Sequence, residues 1–170
     1  MERVVTARER VHRALLSVYS RLGERWQLRI VHLVAPTYSV GALAVVRADD
    51  GSLLLVRHTY RRGWGVPGGL VKPGEHPADA VVREAREEVG VAIEVTGEPA
   101  VVVDPPTRRV DVVFPAQVRS GSVADARPAS VEIAEATWHP GDRLPDLQPE
   151  AAGALAALAR LEAQWGSGAG

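Results

Sequence analysis

The 170-residue sequence predicts one domain of mixed α/β or α+β class, preceded by a short extension. Three observations support this prediction. Runs of β-branched residues alternate with two segments of helical periodicity, 46% of the residues are apolar and can form a core, and 20 basic side chains nearly balance 21 acidic ones. The absence of cysteine excludes disulfides, thiolate metal sites and a cysteine nucleophile. Because the net charge is only −1, we expect no stable binding to nucleic acid.

The extension is predicted for residues 1–36 and is basic and amphipathic. Seven Arg and three Glu among residues 1–32 give this part a charge of +4, and apolar residues recur at helical spacing over residues 8–29. Such a helix could cover an edge of the domain, form a homodimer interface or contact an anionic surface. The apolar stripe is short, so membrane contact is the least favoured of the three.

The longest stretch without a formal charge is Ile30–Val46, which has 17 residues. Polar residues interrupt it, and a membrane span needs about 20 mainly apolar residues. The stretch also begins too late for a signal peptide. We therefore expect a cytoplasmic protein without a membrane partner.

The domain itself is predicted for residues 37–165, and its first elements form a hairpin. Two β-rich runs, Val40–Arg47 and Ser52–His58, flank an Asp50-Gly51 pair that is typical of a hairpin turn. A glycine- and proline-rich loop follows from Arg61 to Pro77. Four more strands are predicted, at Val91–Val95, Ala100–Asp104, Arg109–Val118 and Ala134–His139.

Two helices complete the domain. Pro77–Val89 has proline in its first turn and Gly90 directly after its end, both of which favour these bounds. A closing helix is predicted for Pro149–Trp165, followed by a flexible tail at residues 166–170. The expected core face of the first helix consists of Ala78, Val82, Ala85 and Val89.

Three carboxylates of the first helix point in similar directions. At about 100° per residue, Glu88 lies about 40° from Glu84 in one direction and Glu87 about 60° in the other, roughly 135° from the expected apolar stripe. Like charges at this spacing destabilise a helix by about 0.2–0.5 kcal/mol per pair. The cluster is either a solvated acidic face or a site for divalent cations, since Mg²⁺ and Mn²⁺ prefer hard oxygen ligands. The preceding glycines, which allow close backbone approach to a ligand, favour the cation site.

The same segment resembles the Nudix box, a 23-residue signature. Every fixed position of that signature is matched, by Gly69, Glu75, Arg83, Glu84, Glu87, Glu88, Gly90 and Val91. Ala85 departs mildly, because a larger aliphatic residue is usual there. The stretch Trp64–Gly69 also looks like the segment that leads into the box, and the wider resemblance runs from Ser39 to Leu158.

The resemblance implies an α/β/α sandwich around a mixed sheet and hydrolysis of a pyrophosphate in a nucleoside diphosphate linked to another group. It implies Mg²⁺ or Mn²⁺ held by Glu84, Glu87 and Glu88, together with the carbonyl of Gly68. Catalysis is assigned to the same three carboxylates. The resemblance also implies structural roles for three box residues, namely Glu75, Arg83 and Gly90.

The base that deprotonates the attacking water lies within the box in some Nudix enzymes and on a later loop in others. Glu132 is our candidate on the later loop and Glu135 is the second choice; either could be a solvated surface carboxylate.

The substrate is expected to be a small nucleotide, with ADP-ribose or a nucleotide sugar favoured. Candidate substrate-binding residues are Arg57, Arg61, Trp64 and Gly69. Arg57 could instead be a surface charge, and Trp64 could pack against the sheet. Two other functions stay open: hydrolysis of nucleoside triphosphates, including oxidised ones, and ligand binding without catalysis.

Overall fold

The structure is a computed structural model that describes residues 37–119 and 125–166, together with scattered positions between Arg8 and Ala35. The chain divides between Thr37 and Tyr38. Most of the predicted N-terminal extension and residues 167–170 of the predicted tail lie outside the described residues, so both stay predictions. Within the described part of the chain, no helix has the length and apolar character needed to cross a membrane.

Seven strands form one mixed sheet. Their bounds are β1 Ser39–Arg47, β2 Leu53–His58, β3 Gly68–Leu70, β4 Ile93–Val95, β5 Ala100–Asp104, β6 Arg109–Val118 and β7 Ile133–His139. The order is β4-β6-β1-β2-β7, with β3 paired to β1 and β5 paired to β6. Strands β1 and β6 run parallel from Ser39↔Arg109 to Arg47↔Gln117, and the other pairs are antiparallel.

Two helices cover the two faces of this sheet. Helix α1 (Pro77–Val89) packs on one face and helix α2 (Pro149–Gly166) packs on the other. The core on the α1 side includes Val46, Leu54, Val81, Ala85 and Phe114. The core on the α2 side includes Val45, Leu55, Val113, Ala154 and Leu158. The predicted α/β/α sandwich is confirmed.

Strand β3 lies inside the segment that we predicted as a loop. Gly69 and Gly68 pair with Ala42 and Leu43 of β1. Glycine has a low strand propensity, and the partner strand lies about 26 residues earlier in the chain, so local pattern does not reveal the pairing. The Arg61–Pro77 segment is therefore part loop and part sheet.

The four residues of the predicted core face of α1 all contact the core, but the buried surface of the helix is wider than predicted. The buried residues of the helix are Ala80, Val81, Ala85, Glu88 and Val89. Ala78 and Val82 are partly buried and pack against this core. The buried surface extends to Glu88, whose carboxylate accepts a hydrogen bond from the Gly68 amide of β3, whereas Glu87 is exposed.

Candidate active site

A cavity of about 680 Å³ opens between α1, strand β3, the end of β2 and the start of α2. Its charged and polar lining comes from chain segments that are far apart in the sequence. These residues include His58, Arg61, Arg83, Glu84, Glu87, Glu88, Arg109, Glu132, Gln148 and Glu150. The backbone of Gly68 and Gly69 forms part of the wall.

Glu88 is the buried acid of this cavity and is only 7% exposed. Its Oε2 accepts a hydrogen bond from the Gly68 amide at 3.0 Å, and its Oε1 lies 3.9 Å from Nε2 of His58. Burial raises the pKa of Glu88 to about 8, although the Gly68 amide acts in the opposite direction. The nearby charges of Glu84, Glu132 and Glu87 raise it further. The carboxyl group of Glu88 is therefore harder to ionise than an ordinary glutamate, and a nearby positive charge would favour its ionised form.

Arg83 holds the other carboxylates of the box. Its Nε and Nη2 donate to Glu75 at 2.7 and 2.9 Å, while Nη1 donates to Glu84 at 2.7 Å and to Glu87 at 3.2 Å. Glu75 also accepts a bond from the Lys72 amide at 2.9 Å. The Arg83 bonds, aided by this amide, lower the pKa of Glu75 to about 2. They also raise the pKa of Arg83. One guanidinium thus ties the loop before α1 to two acids of the helix.

Two glycines make this arrangement possible. Gly68 has φ of 154°, and a Cβ there would overlap the carbonyl oxygen of Ala42 in β1. A Cβ on Gly69 would overlap the carboxylate of Glu84. The missing side chains allow β3 to lie between β1 and the acids of α1, with the Gly68 amide directed at Glu88.

The donor set is chemically suited to a hard divalent cation, since three carboxylates and the backbone of a glycine strand line one cavity. Across the described residues, however, no three acidic or histidine side chains are already gathered at ligating distance. The hydrogen bonds explain this, because Arg83 holds Glu84 and Glu87 whereas the Gly68 amide holds Glu88. A cation would take over the charge neutralisation that Arg83 now provides.

The structure separates the two candidate bases. Glu132 lines the cavity, and its carbonyl oxygen accepts a hydrogen bond from the Thr59 amide at 2.9 Å. Glu135 lies opposite Arg57 in the β2–β7 pair and accepts from its Nε and Nη2 at 3.1 and 2.9 Å. Neither Glu135 nor Arg57 lines the cavity.

The remaining candidate substrate residues also divide into two groups. Arg61 lines the cavity and pairs with Glu150 at 3.1 Å, and Gly69 lies in its wall. Trp64 packs against the core on the α2 side and meets the ring of His139 edge-on, with 4.7 Å between the ring centres. The geometry thus brings Arg61 and Gly69 to the acids but gives Trp64 a packing position.

Gln148 is a cavity residue that sequence reasoning missed. It is buried, and its Nε2 lies 3.4 Å from Nδ1 of His58 and donates to the carbonyl of Gly63 at 3.3 Å. Burial, with a contribution from Arg61, lowers the pKa of His58. The only available signal was the position of Gln148 directly before the proline that begins α2, and this does not indicate a cavity.

A second cavity, also of about 680 Å³, adjoins the first. The two share Leu43, Arg61, Arg109 and Glu150 as lining residues. Nε of Arg109 donates to both carboxylate oxygens of the buried Asp111, at 2.7 and 2.9 Å. Sequence reasoning missed Arg109 as well.

Comparisons with known proteins all point to the same family. The model of the NUDIX domain matches residues 37–160. The chain is 40% identical over 60 residues to a MutT-like protein of Streptomyces ambofaciens, covering 35% of this chain and 39% of that protein. It is 32% identical over 126 residues to the human 8-oxo-dGDP phosphatase NUDT18, covering 72% of this chain and 38% of that protein. The chain therefore spans about two-fifths of the length of these two relatives.

Solved structures show the same fold. The MutT NUDIX hydrolase of Burkholderia pseudomallei superposes with a TM-score of 0.59 at 26% identity, covering 72% of this chain and 98% of that one. An ADP-ribose pyrophosphatase of Streptococcus suis gives a TM-score of 0.60 at 26% identity, covering 75% of this chain and 92% of that one. With the box, the sandwich and the acidic cavity in agreement with these matches, the chain belongs to the Nudix hydrolase family, whose members act on pyrophosphate bonds.

Proposed function

We propose that this enzyme hydrolyses the pyrophosphate of a nucleoside diphosphate linked to another group, with ADP-ribose or a nucleotide sugar as the favoured substrate. The observation that carries this proposal is the pair of adjoining cavities that meet at Arg61 and Arg109. A diphosphate diester has an organic group at each end, and two cavities of similar volume offer room for both. The acids of α1 line only one of the two, which is consistent with hydrolysis at one side of a bridging diphosphate.

Electrostatics supports a dependence on Mg²⁺ or Mn²⁺. A diphosphate is an anion, and the acids around Glu88 would repel it in the absence of a cation. Glu84, Glu87 and Glu88, with the carbonyl of Gly68, would hold the ion. When bound, it would neutralise phosphate oxygens and favour deprotonation of water.

The chain's own residues supply the other parts of the mechanism. Arg61 and Arg109 lie where the cavities meet, and each is oriented by a carboxylate, so they would hold the phosphates by charge-assisted hydrogen bonds. Glu132 would take a proton from the attacking water as the water oxygen bonds to phosphorus. The bond from phosphorus to the bridging oxygen then breaks, and that oxygen leaves with the second phosphate.

Hydrolysis of nucleoside triphosphates is the second candidate, and one relative favours it specifically. The chain is 31% identical over 109 residues to a putative 8-oxo-dGTP diphosphatase of Bacillus subtilis, covering 64% of this chain and 70% of that protein. Human NUDT18 also acts on an oxidised guanine nucleotide by its name. Ligand binding without catalysis has less support, because Glu84, Glu87 and Glu88 of the box are all present and line one cavity.

A substrate panel tests the proposal. ADP-ribose, nucleotide sugars, dinucleotides, nucleoside triphosphates and their oxidised forms are incubated with Mg²⁺, with Mn²⁺ or with EDTA, and the products are separated by chromatography. We expect the highest kcat/KM for ADP-ribose or a nucleotide sugar, with release of a nucleoside monophosphate, and no turnover in EDTA. A higher kcat/KM for triphosphates would favour the second candidate. Tight binding with no turnover of any compound would favour a binding module.

A further inference from the structure

We propose that His58, oriented by Gln148, is a positioning residue for Glu88. The inference rests on the proposed role of Glu88 as a cation ligand. It concerns the wall of the cavity opposite α1, where the end of β2 meets the residue directly before α2.

Gln148 has one available orientation. It is 6% exposed, its backbone amide donates to the carbonyl of Trp64 at 2.8 Å, and its side-chain Nε2 donates to the carbonyl of Gly63 at 3.3 Å. A carbonyl only accepts hydrogen bonds, so the nitrogen end of the amide faces Gly63 and His58. Gly65 lies against this pair, and a Cβ there would come within 3.1 Å of Oε1 of Gln148 and 3.3 Å of Cε1 of His58.

The orientation of Gln148 selects the tautomer of His58. Since the amide nitrogen faces Nδ1 at 3.4 Å, Nδ1 is the acceptor and the ring proton of the neutral imidazole is on Nε2. Nε2 is the atom that faces Oε1 of Glu88 at 3.9 Å. The Gly68 amide already holds the other oxygen at 3.0 Å. Each oxygen of Glu88 therefore has an N–H group near it, the Gly68 amide at hydrogen-bond distance and Nε2 of His58 at 3.9 Å.

A neutral donor suits this position better than a cationic one. A lysine or arginine at position 58 would neutralise Glu88 and compete with a divalent cation for it. An imidazole N–H restricts the direction of the carboxylate and leaves its charge for the cation. The side chain of His58 is only 12% exposed, which keeps water from taking its place.

Two substitutions at one position separate positioning from packing. The amide nitrogen of Gln in His58→Gln can occupy the place of Nε2, whereas in His58→Asn the amide reaches only as far as Nδ1 and can still accept from Gln148. Binding of Mn²⁺ alone is measured from the paramagnetic resonance signal of the free ion. We expect His58→Asn to weaken Mn²⁺ binding by about 10–100-fold and His58→Gln to restore most of it.

Three readouts accompany the titration. The thermal midpoints of the two variants should agree, because both replace a ring by an amide. For the favoured substrate, kcat and kcat/KM of His58→Asn should fall together with KM unchanged. Gln148→Leu should also weaken Mn²⁺ binding. The variant that combines His58→Asn with Gln148→Leu should bind Mn²⁺ no more weakly than the weaker-binding single variant, because both substitutions act through one contact.

Glu88→Gln distinguishes the possible failures. If it loses Mn²⁺ binding while His58→Asn binds like the wild type, the positioning role is overturned and the proposed function stands. If the two His58 variants lose Mn²⁺ affinity equally and melt lower, His58 packs the cavity wall and the positioning role is likewise overturned. If Glu88→Gln binds Mn²⁺ like the wild type, the cation role of Glu88 fails and this inference fails with it.

Discussion

Two glutamates near opposite ends of helix α1 have pKa values that are shifted in opposite directions. Glu75 lies in the loop just before the helix, and Glu88 lies in its last turn. At the loop end, Glu75 accepts two hydrogen bonds from Arg83, which lower its pKa to about 2. At the cavity end, Glu88 is buried beside other acids and its pKa rises to about 8. The Glu75 carboxylate is ionised and paired with Arg83, whereas the protein alone compensates poorly for an ionised Glu88.

This difference indicates how the site divides its tasks. A paired carboxylate stabilises the fold, but its oxygens already accept hydrogen bonds and are less available to bind a cation. A buried and weakly paired carboxylate lowers stability when it ionises, which is the usual signature of a functional position. We therefore expect substitutions at the loop end to change stability and substitutions at the cavity end to change turnover.

The largest effect is expected at the cavity end, from Glu88→Gln. Turnover should fall by orders of magnitude because a carboxamide is a poor ligand for a hard cation. The free energy of unfolding, measured with urea in EDTA at pH 9, should be unchanged or higher because the buried charge is gone. Near-normal rates at ordinary Mg²⁺, with a clear loss of stability, would show that Glu88 has a structural role like that of Glu75. The proposed difference between the two ends of the helix would then be wrong.

Glu87→Gln provides the matched variant on the same helix. Glu87 is exposed and bonded to Arg83. It should lose turnover in the same way as Glu88→Gln, but without any gain in stability at high pH.

A large effect on rate is also expected from Glu132→Gln. If Glu132 takes the proton from the attacking water, kcat should fall by roughly 10²–10⁴-fold. Mn²⁺ binding, measured without substrate, should persist. The control is Glu135→Gln, which removes the exposed pair with Arg57 and should cost only about 0.2–1 kcal/mol of stability with an unchanged rate. A negligible rate loss in Glu132→Gln would return the role of base to the box.

The contrast between the two walls of the cavity explains what sequence reasoning could reach. The α1 wall is encoded by 23 consecutive residues whose spacing alone places Glu84, Glu87 and Glu88 on one helix. The opposite wall depends on Gln148, which lies 90 residues from His58 in the chain, and no local pattern connects them. The burial of Glu88 on α1 could not be predicted either, because a periodicity count does not include the Gly68 amide that accommodates its carboxylate.

An intermediate effect on stability is expected from Gly68→Ala. The alanine would have to adopt a positive φ, and its Cβ would overlap the Ala42 carbonyl oxygen. We therefore expect a loss of about 2–4 kcal/mol in the free energy of unfolding. Gly74→Ala is the matched control, since Gly74 also has a positive φ, of 79°, but a Cβ there meets nothing within 4 Å. Strain alone should then cost about 1–2 kcal/mol. Equal losses in the two variants would show that close approach of β3 to β1 is not what requires glycine at position 68.

The smallest effect is expected at the loop end, from Glu75→Gln, and its pH dependence appears in acid. The pKa of Glu75 is about 2 in the folded protein and near 4.5 when unpaired, so the unfolded chain binds more protons between these values. The stabilisation by Glu75 is complete above about pH 4.5 and is lost as the pH falls towards 2. The raised pKa of Glu88 affects the wild type and the variant equally, so its contribution cancels when the two proteins are compared. Urea unfolding midpoints measured from pH 5 downwards should therefore fall less steeply in Glu75→Gln than in the wild type.

The amide variant should also be less stable at pH 5, where the pair with Arg83 is fully formed. If the two proteins lose stability in parallel, Arg83 is held by Glu84 and Glu87 rather than by Glu75, and the loop end has no paired acid of its own to set against Glu88.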